Sequence, residues 1–165
     1  MLPRNEFSQR LPDLPVGQSG FPTTVTWNTD TGGKVEADLT ANDTLSCAIQ
    51  EIRATAPTVT SLEQLQTWAE HLCQKVTYLL ERIAPLEADA TGPVVLVRST
   101  PPAPEPDRIC YYEILLQTPC QLLLRRYAQP ASHAHRAACD MHFTHEALAK
   151  LVGDILATLP TAVSA

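Results

Sequence analysis

One long segment of the sequence has apolar residues at the spacing of a helix. Residues three and four positions apart lie on one face of a helix, so such a stripe is buried. Thr60 and Glu63 have the spacing of a capping box, and Pro85 ends the pattern. The sequence therefore predicts an amphipathic helix over residues 62–83 that packs across a sheet. Its apolar stripe comprises Leu62, Leu65, Ala69, Leu72, Val76, Leu79 and Ile83.

The residues before this helix follow the period of a strand. Val35, Ala37 and Leu39 alternate with polar residues, as expected of a strand that is buried on one side. The turn-rich segments NTDTGG and AND separate this strand from TTVTW before it and from TLSCAIQEI after it. Three antiparallel strands in a meander are therefore predicted.

The second half of the chain predicts four more strands and a second helix. The strand-like segments are VVLV, RICYYEILL, QLLLRRY and ACDMHF. The proline-rich loop PPAPEPD is expected to lie outside the fold. Thr144 has the position of an N-cap, and Pro160 ends the last helix. The predicted fold class is α+β, a mainly antiparallel sheet of about six to seven strands with two amphipathic helices, in the order β-β-β-α-β-β-β-β-α.

The length of 165 residues suits one domain. Residues 1–22 contain four prolines and two glycines and show no helical or strand period. We therefore expect a flexible N-terminal tail over 1–22, a single α+β domain over 23–160 and a disordered C-terminus over 161–165.

The charge and the cysteine content limit the class of partner. Eighteen acidic and twelve basic residues give a net charge of −6, which disfavours nucleic acid and anionic membranes as partners. Charged residues interrupt the longest apolar segments, so no membrane span is expected. The five cysteines are an odd number without the spacing of a disulfide framework. A cytoplasmic protein is predicted.

Three arginines are candidates for binding a small anionic ligand. Arg98, Arg125 and Arg126 belong to a stretch that has few acidic residues. Arginine at the mouth of a pocket suits a carboxylate or a phosphate group. One hypothesis therefore places a ligand between the helix 62–83 and the sheet, with these arginines at its border.

The segment HAHRAACDMHFTH contains four of the five histidines. Imidazole and carboxylate groups are common metal ligands, so a metal or haem site is a second hypothesis. A regular strand over residues 138–143 would direct Cys139 and His142 to opposite faces. The consistent ligand set is Asp140, His142 and His145, joined by His133 or His135. No closed set of four ligands is spaced together, and we expect neither metal nor cofactor in the native protein.

The sequence contains no phosphate loop, no G-x-S-x-G and no C-x-x-C motif. No catalytic residue is assigned. The apolar stripes of the two helices exceed what one sheet face readily covers, which indicates an oligomer or a bound partner. The sequence therefore favours a non-enzymatic binding or adaptor protein acting through an oligomer or partner interface. The alternatives are a carrier or enzyme for a small anionic metabolite and the histidine metal or haem site.

Overall fold

A computed structural model describes residues 11, 14–17, 20–56, 61–132 and 134–161. Ten strands and two helices lie within these residues. They are β1 (Thr23–Asn28), β2 (Lys34–Asn42), β3 (Ser46–Thr55), α1 (Leu62–Lys75), β4 (Ile83–Asp89), β5 (Val94–Ser99), β6 (Ala103–Pro104), β7 (Arg108–Gln117), β8 (Gln121–Pro130), β9 (Ala137–Cys139), β10 (Met141–Thr144) and α2 (His145–Thr158).

The predicted α+β class and the predicted element order are confirmed. Seven strands form one sheet in the order β1-β2-β3-β8-β7-β5-β4, and every strand pair in it is antiparallel. Three short strands extend it, because β10 pairs with β3, β6 with β7 and β9 with β8. The predicted meander of β1, β2 and β3 is present.

Both helices pack on one face of the sheet, which we call the inner face. Helix α1 contacts β4, β5 and β7, whereas α2 contacts β2, β3 and β10, and the two helices contact each other. Trp68 of α1 is buried between them, and its indole Nε1 donates to Thr158 Oγ1 at 3.3 Å. Alternating residues of the strands, such as Leu122 and Leu124 of β8, complete this core. Neither described helix is long and apolar enough to cross a membrane.

The first helix differs from the prediction at both ends. Its N-cap is Ser61, whose hydroxyl accepts from the Gln64 amide at 3.2 Å. Thr60, the predicted cap, lies outside the described residues. The helix ends at Lys75, so the predicted extension to residue 83 is wrong. Residues 83–89 instead form strand β4, which pairs with β5. This pairing satisfies backbone groups of β5 that would otherwise lie at an open edge of the sheet.

The proline-rich loop is partly inside the sheet. Ala103 and Pro104 form β6, which pairs with residues 109 and 110 of β7, so the expectation of a loop outside the fold is wrong there. A two-residue strand at the end of β7 is compatible with proline, because proline cannot donate to a sheet. Glu105 follows β6. Its amide donates to the Arg108 carbonyl at 2.8 Å, which closes the turn into β7.

Strands β3 and β8 pair at one end and separate at the other. Residues 52–55 of β3 pair with residues 121–124 of β8. Beyond this point, residues 46–49 of β3 pair with β10, and residues 126–128 of β8 pair with β9. The sequence predicts one strand for the segment ACDMHF. The structure has two short strands here, β9 and β10, which are separated at Asp140 and fill a fork in the sheet.

Part of the N-terminal segment contacts the sheet. Leu11 is fully buried in the core. Gly17 forms a backbone bridge with Asn42, whose side-chain Nδ2 donates to the Leu11 carbonyl at 3.2 Å. Most of the first 22 residues and residues 162–165 lie outside the described part of the chain, and for them a flexible tail stays a prediction.

Candidate functional site

The face of the sheet opposite to the helices, which we call the outer face, is covered by neither of the described helices. A row of three leucines crosses its centre. Leu96 of β5 lies opposite Leu115 of β7, and Leu115 lies opposite Leu123 of β8. All three are partly exposed, unlike the buried residues that alternate with them on the inner face. Adjacent leucines in register form a continuous apolar strip.

A charged row runs beside the leucines and is paired within the chain. Glu51 of β3 accepts from Arg53 at 2.7 Å and from the Nε of Arg125 at 2.7 Å. Glu113 of β7 accepts from Arg98 at 2.8 Å and from Arg136 at 2.7 Å. Each of these two carboxylates therefore lies between two guanidinium groups.

Burial by itself raises the pKa of Glu51 and of Glu113, because the charged form loses solvation. Hydrogen bonds from the flanking arginines outweigh this effect, so the pKa of both carboxyl groups lies below the ordinary value. Both side chains are only 12% exposed, although they lie on the uncovered face. The outer face therefore holds fixed, ionised groups rather than a mobile surface charge.

Two tyrosines continue the outer face towards β9. Tyr111 and Tyr127 are paired across β7 and β8, with ring centroids 6.0 Å apart. The guanidinium of Arg98 lies 4.9 Å from the centre of the Tyr111 ring, and that of Arg136 lies 4.0 Å from the centre of the Tyr127 ring. Stacked arginine and tyrosine side chains are a common composition of protein interfaces.

The three arginines that the sequence suggested for one ligand do not share a pocket. Arg98 and Arg125 lie on the outer face and are paired as described above. Arg126 follows Arg125 on β8 and lies on the inner face, because successive side chains of a strand point in opposite directions. In the described part of the chain, buried core side chains, including Leu65 and Leu72, fill the space between α1 and the sheet.

Arg126 is held by a buried ion pair. Its two terminal nitrogens donate to Glu81 at 2.9 and 2.7 Å, and its guanidinium lies 4.5 Å from the centre of the Tyr112 ring. Burial disfavours the charged guanidinium, but the hydrogen bonds that it donates to Glu81 raise the pKa of Arg126 above its ordinary value. This arginine is positively charged, and its charge is already neutralised.

A small cavity of about 270 Å³ lies next to this pair, at the end of the inner face beyond the helices. Its opening is bordered by Leu80, which is 81% exposed. Two acidic side chains, Glu105 and Asp140, offset the positive charge of Arg108. The cavity therefore offers no surplus positive charge to a carboxylate or phosphate ligand. The lining residues are Leu80, Glu105, Arg108, Cys110, Tyr112, Arg126, Cys139, Asp140 and His142.

The residues of the histidine cluster are only partly brought together. Cys139, Asp140 and His142 all border the small cavity. The strand register nevertheless pairs Cys139 with Arg126 of the inner face and the exposed His142 with Ala48, which agrees with the predicted alternation of this segment. Asp140 accepts from the Thr40 hydroxyl at 2.7 Å.

The other histidines lie apart from this cavity. His145 is buried at the start of α2, and its Nε2 lies 2.8 Å from Asn42 Oδ1. Because the amide nitrogen of Asn42 donates to Leu11, its oxygen is the acceptor and His145 Nε2 carries a proton. His135 is exposed, and His133 lies outside the described residues. In the described part of the chain, no group of three or more His, Cys, Asp or Glu side chains is arranged to hold a metal ion.

The cysteines are not activated as nucleophiles. All five are free thiols. Burial raises the pKa of Cys47 to about 12 and that of Cys73 to about 11. Burial also raises the pKa of Cys110, Cys120 and Cys139. A thiol reacts as its thiolate, so each of these groups is a weak nucleophile at neutral pH.

The outer face carries no signal of a site in the sequence alone. The alternation of Tyr111, Glu113 and Leu115 does predict that they share one face of a strand. Which residues of the adjacent strands lie beside Leu115 depends on the strand register. The alternation within a single strand does not specify that register, so Leu96 and Leu123 could not be predicted as its neighbours. Glu51 and Glu113 carried no signal of their own, because an isolated acidic residue in a strand is typical of a solvated face.

The chain was compared with protein family models, with curated proteins and with solved structures, and nothing matched in any of the three comparisons.

Proposed function

We propose that this protein is a non-enzymatic binding or adaptor protein that holds another polypeptide on the outer face of its sheet. The observation that carries the proposal is the leucine row of Leu96, Leu115 and Leu123, which no described helix covers. A contiguous apolar strip beside paired charges and stacked tyrosines has the composition of a protein interface.

The charged row supports this function. Charged groups lose solvation when a partner covers them, and this loss is large for an unpaired group. Glu51 and Glu113 are already mostly withdrawn from water and each has two guanidinium partners in the free chain. A partner can therefore cover this row without having to neutralise an isolated charge.

The proposal includes a cytoplasmic location and excludes nucleic acid as the partner. The five free thiols agree with a reducing compartment. The net charge of −6 opposes binding to a polyanion. The arginines of the outer face do not form a positive patch for a polyanion, because Arg98, Arg125 and Arg136 are paired with carboxylates of the same chain.

A photo-crosslinking experiment in cells tests the proposal without assuming what the partner is. A photo-reactive amino acid replaces Leu123 in the leucine row, and Gln66 on the solvent side of α1 is the matched control position. We expect a polypeptide adduct from position 123 and none from position 66. The absence of an adduct at position 123, or equal adducts at both positions, would contradict the proposal.

The cavity beside Arg126 supports a second candidate, which is a carrier for a small ligand. Its volume of about 270 Å³ suits a compact molecule, and the neutralised Arg126 favours an uncharged one over an anionic metabolite. Native mass spectrometry of the freshly purified protein would reveal a bound molecule. The mass that such a molecule adds to the chain should be lost in Cys139→Phe, which narrows the cavity. An added mass that persists in this variant would contradict the second candidate.

A further inference from the structure

We infer that the small cavity beside Arg126 binds a compact organic cation, whose ammonium group lies at Asp140. This inference rests on the second candidate function, a carrier for a small ligand, and adds the charge of that ligand. The observation that carries it is a carboxylate at the cavity that has no cationic partner in the described part of the chain.

The charges around the cavity do not balance. Arg108, Arg126, Glu105 and Asp140 border it, and Glu81, which is not a lining residue, pairs with Arg126. Two cations are therefore grouped with three carboxylates, which gives a net charge of −1. Arg126 donates from both terminal nitrogens to Glu81, and Arg108 donates from its Nε to Glu105. Among the described residues, this leaves Asp140 as the carboxylate without a cation.

Asp140 is held in place with one oxygen left for a ligand. It lies at the break between β9 and β10 and is partly exposed. Its Oδ2 accepts from the Thr40 hydroxyl at 2.7 Å, and no described residue donates to its Oδ1. An ammonium group donates hydrogen bonds, and a hydrogen bond from a cation to a carboxylate is stronger than one between neutral groups. Because the carboxylate is already oriented, a ligand at Oδ1 need not order it.

His142 supplies a second acceptor at the same cavity. It is exposed and borders the cavity beside Asp140. In its neutral form, imidazole has one nitrogen that accepts a hydrogen bond. An ammonium group has three N–H donors and can therefore use both side chains, whereas a ligand carboxylate would meet two acceptors.

The other lining residues suit the uncharged part of such a ligand. Burial raises the pKa of Cys110 and of Cys139, so both thiols are neutral at neutral pH. Tyr112 and Leu80 add apolar surface, and Leu80 is 81% exposed at the opening. A cavity of about 150 Å³ can hold benzene. The volume of about 270 Å³ is therefore sufficient for one ring and a short ammonium arm.

Isothermal titration calorimetry of the full chain at neutral pH tests this inference with matched probes. Benzylammonium, benzyl alcohol and benzoate share one ring and differ in the charge of the attached group. We expect benzylammonium to bind at least about tenfold more tightly than benzyl alcohol, and benzoate not to bind. No binding of benzylammonium, or binding of either other probe with equal affinity, overturns the inference. This comparison uses the wild-type protein, so it does not depend on whether a variant folds.

Two variants locate the binding at Asp140. Asp140→Asn removes the charge but keeps an acceptor for the Thr40 hydroxyl, and it should weaken benzylammonium binding about tenfold. Asp107→Asn is the matched control, because Asp107 is exposed and is not a lining residue, and it should leave the affinity unchanged. Unchanged affinity in Asp140→Asn, or equal weakening in both variants, would show that the cation does not bind at Asp140.

The carrier function and this inference can fail separately. If native mass spectrometry finds a neutral or anionic molecule that Cys139→Phe releases, the carrier function stands and the inferred charge of the ligand is wrong. If the purified protein carries no molecule and benzylammonium does not bind, both are wrong.

Discussion

Arg126 and Glu81 form a buried ion pair that joins strand β8 to the segment between α1 and β4. Two hydrogen bonds connect the guanidinium to both carboxylate oxygens, and the side chains are 10% and 5% exposed. The pair holds the connection that follows the helix against the end of the sheet. It thereby fixes the position of Leu80 at the opening of the small cavity.

Removal of Arg126 should be strongly destabilising. The Arg126→Met variant leaves the Glu81 carboxylate buried without a partner, which typically costs about 3–5 kcal/mol. Urea unfolding measures this loss. Arg82→Met, at an exposed neighbouring position, is the matched control and should change the free energy of unfolding little. The double variant Arg126→Met with Glu81→Leu should regain much of the loss, and equal stability of the single and double variants would contradict this account.

The stability should fall in mild acid because of Glu51 and Glu113. Their pKa values in the folded protein lie below the ordinary glutamate value of 4.5. A lowered folded pKa gives stability that is present above about pH 4.5 and is lost as the pH falls through the folded pKa. Urea unfolding at a series of pH values should show this decrease. Glu113→Gln should make the decrease shallower, whereas Glu70→Gln, at an exposed position of α1, should not.

Ser61 should stabilise the start of α1 by its side chain. Ser61→Ala removes the oxygen that accepts from the Gln64 amide, and the loss of an N-cap typically costs about 1 kcal/mol. The midpoint of thermal unfolding should decrease accordingly. Thr67→Ala is the control, since alanine favours the helix interior and residue 67 is exposed. A loss of stability for Thr67→Ala equal to that for Ser61→Ala would show that the cap is not the cause.

The native thiols should react slowly with a disulfide reagent. Burial raises the pKa of Cys47 to about 12 and that of Cys73 to about 11, so the thiolate fraction at pH 8 is small. Ellman's reagent should titrate all five thiols rapidly in urea and much more slowly in the folded protein. Rapid release of one equivalent from the folded protein would identify an activated cysteine and refute this prediction.

Zinc should have little effect on the folded protein. In the described part of the chain, no three His, Cys, Asp or Glu side chains are arranged to hold a metal ion, and His145 is buried against Asn42, apart from the cavity that Asp140 and His142 border. Elemental analysis of protein purified without a chelating tag should find less than one metal per chain, and added zinc should shift the unfolding midpoint little. About one zinc, copper or haem per chain that is lost in His142→Ala would overturn the prediction.

The fold could be predicted from the sequence where the local pattern and the tertiary structure agree. Helix α2 begins after Thr144, whose hydroxyl accepts from Ala147 at 3.1 Å as the cap predicts. The end of α1 could not be predicted in the same way. Val76, Leu79 and Ile83 are buried after the helix has ended, so the apolar spacing continues through a loop and into β4. Periodicity reports burial, and here burial persists when the backbone conformation changes.

The candidate site was less predictable, because it depends on which strands are neighbours. The alternation along β8 correctly places Arg126 on the face of Leu122 and Leu124. The contact of Arg125 with Glu51 joins residues on β8 and β3, and no local pattern specifies this pair. The break at Asp140 was also hidden, because the residues on both sides of it favour a strand.

Because of the fork between β3 and β8, we expect the sheet to close late in folding. Ser46 pairs with Thr144, and Ile49 pairs with Met141, so β3 acquires one of its partners only from the last third of the chain. Contacts between residues so distant in sequence slow folding, because a long loop must be closed before they form. Until β9 and β10 are in place, one half of β3 lacks a partner on this side. A nascent or truncated chain that lacks them therefore presents an open strand edge to other chains.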